Sequence, residues 1–239
     1  MLIRYLLATL AAGLLAGLLV TPVMYLKTVP LIIQAETYED ADGGHSHDDA
    51  EAAAPHDHGA DVATDDEEAG AELPFGRLGN TLLANLVAGA GFALLLGGVA
   101  LLAGRRITAR NGIYWGVAGF FAVAFLPAIG LSPELPAMPA ADLAQRQLWW
   151  LVTVIFSGLG LYLIVLRGEI VSRILGLVLI IAPHLYGAPH PEDIASPIPA
   201  LLASQYAVSS LATNLFLWAV IGFALGWFIQ TYAKSEVES

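Results

Sequence analysis

Residues 79–103, GNTLLANLVAGAGFALLLGGVALLA, decide the fold of this chain because they form a long run without one charged side chain. About 20 apolar residues span the hydrocarbon core of a bilayer as an α-helix. Lipid offers no hydrogen-bond partners, so a spanning segment must be a helix or a strand of a closed barrel. A barrel strand alternates apolar and polar residues, and this run does not. The stretch therefore predicts a transmembrane helix.

Five further apolar segments accompany this run. The 239 residues are 57% hydrophobic and only 13% charged, with a mean hydropathy of +0.69, whereas a typical soluble domain carries about 25% charged residues. We predict an all-α polytopic membrane helical bundle with about six transmembrane helices. The first segment is longer than the apolar part of a signal peptide, which favours a helix over a cleaved leader. With the run already described, the six segments are 3–26, 79–103, 112–131, 148–166, 171–187 and 207–231.

Basic residues orient the predicted bundle, because Lys and Arg concentrate in cytoplasmic loops. With six spans, seven basic residues fall on one side and three on the other. We predict that both termini are cytoplasmic. The seven are Arg4, Arg105, Arg106, Arg110, Arg167, Arg173 and Lys234, and the three are Lys27, Arg77 and Arg146. The predicted parts are a first helix with its exit (1–33), an outer loop (34–78), a five-helix bundle (79–233) and a cytoplasmic tail (234–239).

The predicted outer loop is acidic and rich in histidine. The net charge of the chain is −11, and fourteen of its 21 acids lie between Glu36 and Glu72, which is typical of a disordered, solvated segment. The stretch HSHDDAEAAAPHDHG (45–59) adds four of the six histidines, and imidazole with carboxylate suits Co²⁺, Ni²⁺ and Zn²⁺. We predict that the loop gathers cations; the alternative is a low-complexity tract without a metal role. The four are His45, His47, His56 and His58.

His184 is the sharper candidate for a metal ligand. It stands at the end of an apolar segment, in LIIAPHLYG, and ionisable residues inside membranes usually face a cavity or a partner. His190 and Glu192 follow within the outward loop and extend a nitrogen and oxygen set. A hydrogen-bonded structural histidine is the alternative. Glu134 and Glu36, at the outer ends of two other segments, are further oxygen ligands or ordinary surface acids.

Prolines and glycines recur at the outer ends of two predicted helices. LPAIGLSPELP (126–136) and APHLYGAPHPED (182–193) share a proline, a glycine and a Pro-Glu pair. Broken helices of this kind line ion sites in transporters, although prolines also simply end helices at a surface. GxxxG pairs at 13/17, 112/116 and 222/226 indicate close helix packing. Asp142 is interpreted as the cap of the fourth helix rather than a ligand.

Several classes of function lack their sequence signals. No GxxxxGK[ST], HExxH or GxSxG motif occurs, so we expect no enzyme, no nucleotide site of that kind and no permanently bound cofactor. No basic footprint for nucleic acid is present. The chain has no cysteine and three methionines, so a metal would be held by nitrogen and oxygen rather than by soft sulfur ligands.

Four stretches resemble the CbtA family of proposed cobalt transporter subunits. They are AGLLAGLLVTPV with VPLIIQAETYED (12–23 and 29–40), LSPELPAMPAADLAQRQLWWL (131–151), IIAPHLYGAPHPED (180–193) and PIPALLASQYAVSSLATNLFLW (197–218). The resemblance implies a bacterial inner-membrane protein that takes up Co²⁺ for cobalamin synthesis with a small single-span, histidine-containing partner, CbtB. It implies interest in Glu36, Glu134, Gln145, Gln147, His184, His190 and the four loop histidines.

These observations favour uptake of a divalent transition cation, Co²⁺ first and Ni²⁺ or Zn²⁺ as alternatives. In this hypothesis the outer loop gathers the ion and the outer end of the fifth helix binds it. The rival hypothesis is a membrane metal sensor or scaffold that does not transport. A third is that the loop is incidental and the helices carry something else, such as a proton.

Overall fold

The computed structural model describes residues 2–42 and 75–234, and within these ranges every regular element is a helix. Four helices, α1, α3, α5 and α7, are long and apolar enough to cross a membrane, and α4 and α6 are shorter apolar helices. The all-helical part of the prediction is confirmed, and four of the six predicted segments form helices with the length and hydropathy of a membrane span. The helices are α1 Leu2–Lys27, α2 Val29–Asp42, α3 Gly76–Leu102, α4 Gly112–Ala128, α5 Leu143–Arg167, α6 Ile170–Tyr186 and α7 Ala200–Lys234.

Glycine allows α1 to lie directly against α3. A Cβ at Gly13 would overlap the carbonyl oxygen of Gly89, and a Cβ at Gly17 would overlap that of Asn85. The two backbones therefore touch along one stripe of each helix. Tyr5 extends this stripe, since its hydroxyl donates to the carbonyl of Gly97 at 2.9 Å. α1 also packs on α7, so it lies between α3 and α7.

α4 meets α7 through a second glycine contact. A Cβ at Gly112 would overlap the carbonyl of Gly222, and a Cβ at Gly116 would overlap that of Trp218. The Trp218 ring lies fully buried against Gly119 and stacks on Phe92 with centroids 5.0 Å apart. The close packing predicted from the GxxxG pairs is confirmed.

α5 and α6 form a hairpin that attaches to the bundle through α4. Gly160 and Gly176 face each other within the hairpin, and Gly168, with φ of +74°, ends α5 in the left-handed region that favours glycine. The hairpin packs on the second half of α4. There α4 widens into a π-helical turn, Phe121–Phe125, which accommodates the ring of Pro127 in its last turn.

The predicted basic side of the bundle forms one end of the structure. Arg105 donates to the carbonyl of Leu166 at 3.4 Å, and Gly226 of α7 lies against Thr108. The loop between α3 and α4 thus meets the ends of α5 and α7. We call this the arginine end; it carries Arg105, Arg106, Arg110, Arg167 and Arg173.

The opposite end is covered by a small apolar core that the sequence did not predict. It joins α2, the loop after α4 and the start of α7, and we call it the cap. α2 is helical through residue 42 and takes up the start of the segment assigned to the outer loop. α7 begins at Ala200, seven residues before the predicted apolar segment, and its first turns complete the cap. The buried members are Ala35, Leu135, Ile198 and Leu202.

Two neighbouring glycines of α3 test the backbone contact with α1. We expect Gly89→Ala to lower the free energy of unfolding by about 1–3 kcal/mol, because its methyl group collides with Gly13. Gly91→Ala is the matched control, since no atom lies within 4 Å of its Cβ position. It should stabilise α3 by up to about 1 kcal/mol. Thermal unfolding of both variants in detergent measures this, and equal stability of the two would contradict the packing.

Candidate functional site

Five of the predicted site residues lie at or beside the cap. Glu36 is on α2 and Glu134 is in the loop after α4, each next in sequence to a buried residue of the cap core. His184 is in the last turn of α6, and His190 and Glu192 are exposed in the loop that follows. His45, His47, His56 and His58 lie outside the described residues.

His184 has a buried nitrogen that makes no hydrogen bond. Its Nε2 atom is shielded from solvent and has no partner, and its ring meets Trp149 edge to face with centroids 5.7 Å apart. Buried polar atoms are nearly always hydrogen-bonded, so a bare imidazole nitrogen calls for an explanation. A neutral imidazole nitrogen is a good ligand for a divalent transition metal. This nitrogen makes His184 a candidate metal ligand.

The local sequence explains why His184 is held in this position. Pro183 is buried in the last turn of α6, and Gly187, with φ of +93°, ends the helix. The Gly187 N–H donates to the carbonyl of Pro183 at 3.1 Å. Gly130 lies against the six-membered ring of Trp149, where a Cβ would collide with it. The two proline-glycine stretches noted in the sequence therefore meet around Trp149.

Trp149 is buried inside the bundle rather than exposed on its surface. It is only 7% exposed, and its indole nitrogen is buried without a partner. Trp150, the next residue, is 40% exposed and does face outward. The glycine at position 130 explains the difference, because it leaves room for one indole against α4.

The structure does not gather the predicted ligands into one cluster. Among residues 2–42 and 75–234, no group of three His, Asp or Glu side chains is close enough to hold a metal ion. His190 and Glu192 are exposed, as are Gln145 and Gln147. Among the predicted metal ligands that the structure describes, His184 is therefore the one with a buried, unpaired nitrogen.

Glu36 is paired with an arginine. Both of its carboxylate oxygens accept from Arg77 Nη2 at 3.1 Å, and the side chains are only 22% and 19% exposed. The pair joins α2 to the start of α3. A guanidinium in this position occupies the oxygens that a cation would need.

Glu134 is paired in the same way. Its Oε2 atom accepts from Arg146 Nη2 at 2.7 Å, which ties the loop after α4 to the first turn of α5. Burial raises the pKa of the Glu134 carboxyl, and the Arg146 guanidinium offsets part of that rise. Asp142 caps α5 by accepting from the Gln145 N–H at 3.0 Å, as predicted.

A polar seam between α1 and α3 was not predicted. The Asn85 amide donates to Thr21 Oγ1 at 3.0 Å and contacts Met24 Sδ at 3.2 Å. Asn80, one turn away, has a buried amide nitrogen without a partner. Asn80 and Asn85 are amides in the run 79–103, which has almost no other polar side chains. Their presence in that run was the sequence signal that could have predicted this polar contact. At the junction between α1 and α2, the Oγ1 atom of Thr28 lies 3.4 Å from that of Thr213 and links the junction to α7.

Comparison with known proteins gives one family match. The sequence model of the CbtA family, described as a probable cobalt transporter subunit, matches residues 2–230. The match includes α1 to α6 and nearly all of α7, so the site residues described above all lie within it. No curated protein and no solved structure matches the chain.

The Glu134 carboxyl gives a pH-dependent test of the cap. Because burial raises its pKa in the folded protein, its protonation stabilises the fold below the unfolded pKa, and this stabilisation is lost as pH rises through the folded pKa. The melting temperature of wild type minus that of Glu134→Gln should therefore fall as pH rises from about 4 to about 8. The change is small because the ion pair is partly exposed.

The control for this measurement is Glu192→Gln, which removes an exposed acid that forms no ion pair within the described ranges. Its melting temperature should follow wild type across the titration. A gap between wild type and Glu134→Gln that widens in favour of wild type with rising pH would show that the Arg146 pair outweighs burial.

Proposed function

Because this chain belongs to the CbtA family of probable cobalt transporter subunits, we propose that it moves Co²⁺ across the bacterial inner membrane towards the cytoplasm. The observation that carries the proposal is the buried, unpaired Nε2 of His184. Nickel and zinc ions remain candidate substrates, because imidazole nitrogen binds all three ions and the general order of metal affinities does not favour cobalt. The protein is proposed to act as a transporter and not as an enzyme.

The proposed topology has six spans with both termini in the cytoplasm. α6 has 17 residues and rises about 26 Å, at the lower limit for a membrane-spanning helix. The five arginines of the arginine end support a cytoplasmic position for that end by the positive-inside rule. The cap, the His-rich loop and His184 then face the side from which a metal ion arrives.

The proposed path begins in solution and ends at α6. The four loop histidines and their acidic neighbours gather the cation, and His190 and Glu192 meet it in the exposed loop after α6. His184 is the first buried donor and takes the ion out of water beside Trp149. The membrane potential supplies about 2.3 kcal/mol per unit charge per 100 mV for inward movement.

Glu36 and Glu134 have a different part in this proposal. Each could bind the cation only after its arginine leaves, since Arg77 and Arg146 occupy their oxygens. As ion pairs they cancel two positive charges that would otherwise repel a dication at the cap. They also fasten α2 and the loop after α4 to the membrane helices.

The family description as a subunit implies a partner. We propose that the partner is a small single-span subunit of the CbtB type with histidines of its own. A second set of imidazoles would complete the coordination that His184 starts, since one nitrogen alone does not hold Co²⁺ firmly. Energy comes from the ion gradient, the potential or a further subunit, because this chain lacks a GxxxxGK[ST] loop.

His184→Phe is the sharpest test of the proposed site. The phenyl ring keeps the edge-to-face contact with Trp149 and removes only the nitrogen donors. We expect cobalt accumulation to fall at least about tenfold, the factor for losing about 1.4 kcal/mol of binding, in cells that lack other cobalt uptake and express the partner. The melting temperature of the purified variant should stay close to that of wild type.

His184→Ala separates the packing role from the ligand role. It should lose uptake as His184→Phe does, and should also lose stability because it leaves a cavity beside Trp149. Full uptake by His184→Phe with reduced stability of His184→Ala would assign His184 to packing alone. In that case the metal site proposed at the end of α6 would be wrong.

Deletion of residues 45–58 tests the gathering role of the loop. If the loop concentrates cations, the deletion should weaken uptake at low cobalt and leave uptake at saturating cobalt unchanged. The measurement is cobalt accumulation as a function of cobalt concentration. The matched control is a loop of unchanged length in which the four histidines are replaced by serine. Loss of uptake at every concentration would show that the loop is part of the path.

A further inference from the structure

A cavity of about 710 Å³ opens on the side of the bundle, between α3 and α5. It exists because α3 packs on α1 and α7 while α5 packs on α6 and the second half of α4. The first half of α4 therefore forms a floor that neither neighbour covers. We call this space the lateral cavity; its lining includes Leu95, Val99, Ala118, Gly158, Leu161 and Leu166.

The lateral cavity ends beside the arginine end. Asn111 and Leu166 line it there, and Arg110 and Arg167 are their neighbours in the chain. Arg105 reaches across, with its Nη2 atom 3.4 Å from the carbonyl of Leu166. One end of an apolar cavity thus lies beside a segment of the chain that is rich in arginine.

These arginines have no acidic partners among the residues the structure describes. The ion pairs there are Glu36 with Arg77 and Glu134 with Arg146, both at the cap. The nearest acid in sequence is Glu169, in the turn after α5, and it is exposed. Counted over the described residues, the rim therefore carries more arginines than acids. The arginines of the rim are Arg105, Arg106, Arg110 and Arg167, all exposed.

We propose that the lateral cavity binds an anionic phospholipid. Its acyl chain lies between α3 and α5, and its phosphate meets Arg105, Arg110 and Arg167. Hydrocarbon suits the lining, which is almost wholly apolar, and lipid reaches the cavity directly from the bilayer. Guanidinium groups bind phosphate through paired N–H donors, and basic pockets between transmembrane helices bind anionic headgroups.

This lipid would have a structural consequence for the metal site. The hairpin of α5 and α6 carries His184 and joins the remaining helices mainly through the second half of α4. A lipid wedged between α3 and α5 would brace the hairpin at the arginine end, where protein contacts are few. The inference stands on the cavity and its rim and is independent of which metal is carried.

Thermal unfolding of the purified full chain in detergent tests the proposal, with phosphatidylglycerol, phosphatidylcholine or inorganic phosphate added. We expect phosphatidylglycerol to raise the melting temperature by at least about 4 °C. Phosphatidylcholine and phosphate alone should have little effect. Native mass spectrometry should show phosphatidylglycerol retained at least about tenfold more than phosphatidylcholine.

Two variants separate the headgroup from the acyl chain. Arg105→Gln, Arg110→Gln and Arg167→Gln combined should abolish the preference for phosphatidylglycerol, whereas Arg173→Gln, at the same end on α6, should keep it. Gly158→Leu adds an apolar side chain to the lining of the cavity, at a position where no atom lies within 4 Å of the Cβ. It should reduce retention of both phospholipids.

Three results would overturn the proposal. Equal stabilisation by both phospholipids would remove the role of the arginines, and stabilisation by phosphate alone would indicate an anion site without a lipid. The third is a wild-type chain that retains no phospholipid, together with a Gly158→Cys variant that the partner subunit protects from thiol labelling. That result would assign the cavity to a protein helix.

Discussion

The contacts at Gly13 with Gly89 and at Gly112 with Gly222 are the constraint on which the rest of the structure depends. In lipid the hydrophobic effect does not drive helices together, so they associate through close van der Waals packing and interhelical hydrogen bonds. Direct backbone contact provides that packing for α1, α3, α4 and α7. Those four helices form a tight group, and the hairpin of α5 and α6 is left to attach at one place. The lateral cavity and the isolated position of His184 both result from that arrangement.

The acids at the cap form ion pairs, whereas the histidine beside it has a nitrogen without a hydrogen bond. Glu36 and Glu134 are each paired with an arginine and hold the cap to α3 and α5. His184 is left without a hydrogen bond in an apolar setting, where an unmade bond to a polar group costs about 1–3 kcal/mol. A carboxylate that already pairs with an arginine is a poor ligand for a cation, and an imidazole nitrogen without a hydrogen bond is the better candidate. The contrast supports His184 over the acids as the first buried donor.

The apolar runs predicted the helical membrane fold because length and hydropathy are local properties. The GxxxG pairs likewise predicted where backbones touch, and Asp142 was correctly interpreted as a cap. The cap core could not be predicted, because Ala35, Leu135 and Leu202 are ordinary apolar residues whose meeting depends on three distant segments. The pairing of Glu36 with Arg77 was hidden for the same reason, since 41 residues separate them in the chain. His184 could be predicted as a candidate site residue because an ionisable side chain in an apolar run is visible in the sequence alone.

The π-helical turn at Phe121–Phe125 determines which residues the second half of α4 and the loop after it direct towards α5. A π turn holds one residue more than an α turn, and each residue of an α-helix advances the direction of its side chains by about 100°. Without that extra residue, everything beyond Phe125 would be rotated by roughly this angle about the helix axis. Gly130 would then no longer face Trp149, and another side chain would occupy the slot that the indole fills. The extra residue therefore sets the rotation of the chain about the helix axis. It allows the glycines at the start of α4 to contact α7 and Gly130, just after α4, to contact Trp149 of α5.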